Sequence, residues 1–302
     1  MEQEYGLLDT DEAEIPGDEF EEIDVEDTEA DRIARERDRE FDQFRKRIKD
    51  ADQFKVEDSV FDDATYGALY KLVQDGYIDA FGGPISTGKE ANVYTALSGS
   101  ASPDDSQQLS DDGAEPREVA VKIYRINASD FREMGEYLEG DPRFERVGSD
   151  KKAIVTAWVR KEFANLRRAR AAGVRVPEPI AVERNVLVME YLGTAEGRAK
   201  RLAEVQIENP ETAYEVVREY LRRLYDAGIV HGDLSEYNVV VTESQLYVID
   251  VGQAMTVHHP NSEEFFERDC ENVASFFRRQ GVDTDGEQLL AYIREHADPT
   301  PD

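Results

Sequence analysis

Two carboxylates and a carboxamide carry the chemistry that this sequence can do. Asp233 and Asn238 stand five residues apart in HGDLSEYN (231–238), and Asp250 closes the apolar run LYVID (246–250). An aspartate on a loop can orient an attacking hydroxyl and accept its proton. An asparagine on the same loop adds a neutral oxygen for a metal on nucleotide phosphates. Mg2+ takes few protein ligands and fills its other places with water and phosphate, so a second carboxylate at a strand end completes a site. Alone, the loop is also a polar turn and Asp250 a residue that caps a strand. At this spacing the two match the catalytic-loop and metal-loop pattern of phosphoryl-transfer enzymes.

A third element is Lys122 in VAVKIY (119–124), where alternation puts it on one strand face with Ala120 and Tyr124. As an edge-strand lysine it would simply snorkel. As a ligand of the α- and β-phosphates it needs a partner carboxylate. Residues 151–175 hold eight Lys or Arg and one acid, Glu162. Helical spacing sets Glu162 beside Val155, Val159 and Leu166, so it faces inward and pairs best with Lys122. The phosphate cradle lacks G-x-G-x-x-G. In its place ISTGKEANVY (85–94) offers Ser86, Thr87 and the backbone at Gly88 as hydrogen-bond donors and Lys89 as charge. A simple hairpin turn explains the same residues.

These groups need elements to hold them. Helical spacing predicts a packed helix within 59–78 and others over 153–172, 210–227, about 263–279 and 286–296. β-branched and apolar runs predict strand, turn, strand over 84–97 and strands at 118–124, 185–191 and 246–250. Strands first and helices later describe a two-lobed α+β protein. Residues 1–31 hold fifteen Asp or Glu and no Lys or Arg, an acidic disordered tail. An N-terminal helical extension spans 32–80, a small β-rich lobe 81–189 and a helical lobe 190–302. Within the small lobe, 98–116 is a polar, flexible loop.

Acidic residues number 67 against 36 basic, a net charge of −31. A salty cytoplasm, as in halophilic archaea, screens such self-repulsion; an acidic protein that binds a basic partner is the other reading. No apolar run is long enough to span a membrane, no signal peptide is recognisable, and the single cysteine, Cys270, suits a reducing compartment.

STGKEANVY, AVKIYR, KEFANLRRA, VPEPIAV, VLVMEYLG, HGDLSEYNV and IDVGQA together resemble the RIO family of atypical serine/threonine kinases, in its S-x-G-K-E subgroup. The resemblance covers roughly 55–280, and it implies that 131–152 of the small lobe, with GDPRF (140–144), is that subgroup's insertion. It implies a reduced, two-lobed kinase fold without the activation segment and substrate subdomains of ordinary kinases. It implies ATP with Mg2+ or Mn2+, with Asn238 and Asp250 on the metal and Asp233 as base. Adenine would lie at hinge backbone near Glu190 to Leu192, behind Met189. It also implies autophosphorylation, ATP hydrolysis with a transient phosphoryl-aspartate at Asp250, and a partner in the precursor small ribosomal subunit. DNA is not expected as a partner. Gly232 stands where the family often has alanine, a change expected to be silent.

Two other readings stay open. A small-molecule phosphotransferase of the aminoglycoside-kinase type shares the H-G-D-L-x-x-x-N loop and a downstream I-D. An ATP-gated assembly factor would use the same residues to switch binding. For contact with RNA the sequence offers the basic run 151–175 with Arg218, Arg222 and Arg223, or else these are a solvated helix face.

Overall fold

A computed structural model describes residues 60–99, 117–126, 134–135, 137–138, 150–194, 197–242 and 245–299. The acidic tail (1–31), the extension before residue 60, residues 100–116 of the polar loop and GDPRF lie outside the described residues.

The first described helix, α1 (Asp63–Gln74), begins where the Asp62 carboxylate accepts the Thr65 N–H at 2.8 Å. It is shorter than its apolar spacing predicts because Ile78 already opens the sheet. That sheet comprises β1 (Ile78–Thr87), β2 (Ala91–Ser98) and β3 (Glu118–Tyr124), and beyond helix α2 (Lys151–Ala171) it adds β4 (Pro179–Glu183) and β5 (Val186–Glu190). The strand order is β1-β2-β3-β5-β4, with antiparallel neighbours throughout. β3 is central, which accounts for its apolar run: every residue from Val119 to Tyr124 is buried. Its register, Val93↔Lys122↔Leu187, places Lys122 in mid-sheet. On α2 the stripe Val155, Val159, Glu162 and Leu166 is buried, as the spacing requires.

After β5 come two-residue strands β6 (Gly193–Thr194), β7 (Gly197–Arg198) and β8 (Lys200–Arg201), a short 3-10 turn at Leu202–Glu204, and helix α3 (Pro210–Asp226). Then follow β9 (Ile229–Val230), β10 (Val239–Thr242), β11 (Gln245–Val248), β12 (Met255–Thr256), α4 (Ser262–Arg279) and α5 (Gly286–His296). Amphipathic helices build this half: Val217, Leu221 and Leu224 of α3 meet Phe266, Val273 and Phe277 of α4 and Leu289 and Ile293 of α5 in one core. β10 lies between β8 and β11, so the residues before β10 and after β11 emerge together.

The architecture is the expected two-lobed α+β, kinase-like fold. One strand ends early: β11 stops at Val248, and Asp250 sits at φ +62. Aspartate tolerates this left-handed region better than most residues, and the turn carries its carboxylate back toward β3. No helix among the described residues is long and apolar enough to cross a membrane.

Candidate active site

A cavity of about 500 Å³ opens under the five-stranded sheet. Its wall includes Ser86 and Thr87 from the end of β1, Gly88 and Lys89 from the β1–β2 turn, Lys122 from β3, Glu162 from α2 and Met189, Glu190 and Leu192 from β5 and the chain beyond it. Asn238 and Asp250 enter from the opposite side. Asp233 does not line the wall itself; it joins the group through Asn238, whose Nδ2 donates to the Asp233 backbone carbonyl at 2.7 Å and to Oδ2 at 3.2 Å.

Lys122 is the junction. Its buried ammonium donates to Glu162 Oε1 at 2.7 Å and to Asp250 Oδ1 at 2.8 Å. Burial opposes the charge, but the carboxylates of Asp250 and Glu162 outweigh it and hold the Lys122 pKa well above the usual lysine value. Lys122 in turn keeps the Asp250 carboxyl below the usual carboxylate range. The second oxygen of Glu162 accepts the Tyr124 hydroxyl at 2.5 Å, and burial, helped by that carboxylate, pushes the phenol well above its ordinary pKa. Strand alternation puts Tyr124 beside Lys122; its bond to Glu162 fixes the carboxylate that the lysine needs.

The loop before β10 is held from below. Asp269 of α4 accepts the Gly232 N–H at 2.8 Å and the Leu234 N–H at 2.7 Å, clamping the backbone on both sides of Asp233. Arg268 donates to the Gly232 carbonyl. His231 Nδ1 accepts the Asp233 N–H at 3.3 Å, so Nε2 carries the proton that goes to the Ile249 carbonyl at 3.1 Å. Burial pushes the Asp269 carboxyl up to about 6, against the pull of His231 and the two backbone donors. Gly232 has φ +83, a conformation that disfavours alanine. The glycine is therefore not a silent change, since an alanine with this backbone would be strained.

The donor set suits a hard cation. With Asn238 Nδ2 committed to Asp233, its Oδ1 is left to accept, and Lys122 engages only Oδ1 of Asp250. One carboxylate and one carboxamide oxygen, with no larger cluster of acids, His or Cys among the described residues, is the sparse set that Mg2+ completes with phosphate and water. Where the hinge is expected, the Glu190 N–H donates to the Glu178 carbonyl at 2.8 Å, the Glu178 N–H donates back to the Glu190 side-chain Oε2 at 3.0 Å, and the Ala199 N–H donates to the Leu192 carbonyl at 2.8 Å.

Asp269 escaped the sequence reading, although its signal was present. It stands three residues after Phe266 and four before Val273, an acid on an apolar stripe like Glu162. Of the basic residues, Arg222 and Arg223 are both held by Glu219 through its two carboxylate oxygens, at 2.9 and 2.8 Å. Arg218 lies over the Tyr292 ring at 4.3 Å. On α2, Lys151, Lys152, Arg160 and Arg167 are exposed, whereas Lys161 is fully buried.

A family model described as RIO domain matches residues 92–289. The chain is 67% identical over 293 residues to the RIO-type serine/threonine-protein kinase Rio1 of Haloferax volcanii, covering 97% of this chain and 96% of that one. It is 35% identical over 249 residues to the protein of the same name from Methanocaldococcus jannaschii, covering 82% and 80%. Among solved structures, the Rio2 kinase–ADP/Mg2+–phosphoaspartate complex from Chaetomium thermophilum superposes with a TM-score of 0.58 at 23% identity, covering 78% of this chain and 66% of that one.

Proposed function

The chain belongs to the RIO family of kinases and is a serine/threonine-protein kinase; from this premise we propose how its residues divide the work. Lys122, held by Glu162, takes the α- and β-phosphates of ATP. Asn238 and Asp250 hold Mg2+ (or Mn2+), which supplies charge neutralisation on the phosphates. Ser86, Thr87, the Gly88 backbone and Lys89 cover the phosphate chain, and backbone from Glu190 to Leu192 with Met189 receives the adenine. Asp233 orients the attacking hydroxyl and accepts its proton. The observation that carries this reading is the Lys122 ammonium, bonded at once to Glu162 and Asp250 on the wall of the cavity that Asn238 also lines.

Asp250 also offers a second path. Its side chain is 57% exposed and, among the described residues, Lys122 bonds only Oδ1, so Oδ2 can attack the γ-phosphorus while the bond to the β-phosphate oxygen breaks and ADP leaves. Water then cleaves the acyl phosphate to free phosphate, which makes the cycle an ATPase that can gate binding. Autophosphorylation and action on precursor small ribosomal subunits in the cytoplasm belong to the same proposal. The surface for RNA is the exposed basic side of α2, since Arg222 and Arg223 are engaged internally. Family membership displaces the small-molecule phosphotransferase reading.

The test separates two aspartates. Asp233→Ala is expected to keep ATP affinity within about threefold and to lose on the order of 10²–10⁴ in turnover. Asp250→Ala should lose the Mg2+-dependent part of nucleotide binding. Equal loss of ATP affinity in both would sink the division of roles. Hydroxylamine-labile phosphate on the wild type, absent in Asp250→Ala, identifies the phosphoryl-aspartate path.

A further inference from the structure

Helix α2 meets the phosphate-handling residues twice, and Glu162 accounts for only one contact. Lys161, the preceding residue, is fully buried and donates from Nζ to the Gly252 carbonyl at 3.1 Å. One turn on, buried Asn165 donates from Nδ2 to the carbonyls of Val251 at 3.1 Å and Ala254 at 2.9 Å. Two side chains of one helix thus hold the carbonyls of Val251, Gly252 and Ala254 in the turn that follows Asp250. An interior ammonium is expensive unless it is compensated, so a lysine here is a poor choice for packing alone. It lies over the Trp158 ring at 4.8 Å and the Tyr137 ring at 5.6 Å, which offsets part of that expense. The turn is also pressed close to the helix. A Cβ on Gly252 would meet Trp158 Nε1 and the Tyr124 hydroxyl at 3.2 Å each.

We propose that Lys161 and Asn165 are positioning residues that bolt the turn 250–254 to α2, presenting Asp250 and Glu162 to Lys122 as one rigid unit. Glu162 and Lys161 are neighbours on α2, one turned to the sheet lysine and the other to the metal turn. The helix therefore fixes the separation of the two carboxylates that share Lys122. Swinging the turn away would break three buried bonds to its carbonyls, from Lys161 to Gly252 and from Asn165 to Val251 and Ala254, so the turn stays in place when nucleotide leaves. Tyr137 packs on both Trp158 and Phe265 at 5.8 and 5.5 Å between ring centroids, so this ring bridges the same bolt and α4.

This inference rests on Asp250 as a metal ligand, and the experiment keeps the two ideas apart. ADP binding is titrated calorimetrically in EDTA and then as a function of Mg2+, for the wild type, Lys161→Met, Asn165→Ala and Asp250→Ala. Each bolt variant is expected to raise the Mg2+ midpoint about tenfold, while ADP affinity in EDTA stays within about twofold. The double variant should shift it less than the product of the singles, because both hold one turn. Should Lys161→Met not fold, Asn165→Ala alone decides. A lower melting temperature with an unmoved Mg2+ midpoint in Asn165→Ala overturns the bolt. A wild type whose ADP binding ignores Mg2+ overturns the metal reading of Asp250 itself, and the bolt with it.

Discussion

The two sides of the nucleotide cavity are built on different principles. On one side Ser86, Thr87, Gly88 and Lys89 are all exposed, with no buried side chain among these four residues. Ser86 and Thr87 end β1 opposite Val93 and Asn92, and the turn beyond them is shaped by Gly88 N–H to the Ala91 carbonyl at 3.0 Å and Arg125 N–H to the Glu90 carbonyl at 2.8 Å. On the other side the loop at 231–238 and the turn at 250–254 are anchored by buried side chains from two helices, Asp269 of α4 and Lys161 and Asn165 of α2. A lightly bonded turn can open at small cost to admit nucleotide, whereas groups that meet a transferring phosphoryl must be held before it arrives. Preorganisation is concentrated where charge moves, and adaptability where the ligand enters.

If this contrast is right, damage to an anchor should exceed damage to the turn by a wide margin. Asp269→Ala has the largest expected effect. It leaves the Gly232 and Leu234 N–H groups buried without their acceptor, at about 1–3 kcal/mol each. We expect several kcal/mol of lost stability by guanidinium denaturation and at least about 100-fold lower turnover, with ADP affinity in EDTA little changed. A turnover loss below tenfold would show that the loop holds its shape without the anchor.

A milder substitution sharpens the same point through pH. The Asp269 carboxyl titrates near 6 in the fold against an ordinary 3.8. The folded state thus holds that proton more tightly than the unfolded chain does. Its contribution is complete below about pH 4 and is lost as pH rises through 6, a change of roughly 3 kcal/mol. Asp269→Asn cannot titrate, so its stability should fall less than that of the wild type between pH 4.5 and 7.5. Denaturation midpoints with parallel pH slopes at fixed KCl would remove Asp269 as the cause. The many exposed acids act on both proteins alike and cancel in the difference.

How much of this could be read beforehand follows from where the information lies. The helices and the strands over 84–97, 118–124, 185–191 and 246–250 were legible because each is amphipathic or fully buried with its own period, whereas β4, β10 and the two-residue strands were not, being too short or too dependent on their partners to carry one. Lys122 and Glu162 could be paired because the acid stands alone on an apolar stripe facing a strand lysine. Asp269, Lys161 and Asn165 were not found, since they act on backbone carbonyls and N–H groups that leave no mark on residue type at the receiving end. Lys161 was also concealed by its surroundings. In a run of eight basic residues it reads as one more surface charge, and only the packing of Trp158 and Tyr137 around it shows that it is interior. The left-handed φ at Gly232 was equally invisible, because it depends on how the loop is gripped and not on its composition.

The smallest expected effects belong to the turn, and they test its adaptability directly. Ser86→Ala and Thr87→Ala each remove one exposed hydroxyl that would bond phosphate only in the complex. Each should lower ATP affinity by about two- to fivefold, near 0.5–1 kcal/mol, with the melting temperature unchanged. Gly88→Ala differs because its Cβ would sit 3.0 Å from the Ala91 carbonyl oxygen, the same oxygen that accepts the Gly88 N–H. The turn must then widen by a few tenths of an ångström. In a rigid cradle that displacement would cost as much affinity as losing an anchor. In a lightly bonded one, ATP affinity should fall by no more than about tenfold, with turnover at saturation within about twofold of wild type. A collapse of turnover in Gly88→Ala would show that the turn, too, is held for the chemical step and would erase the contrast between the two sides.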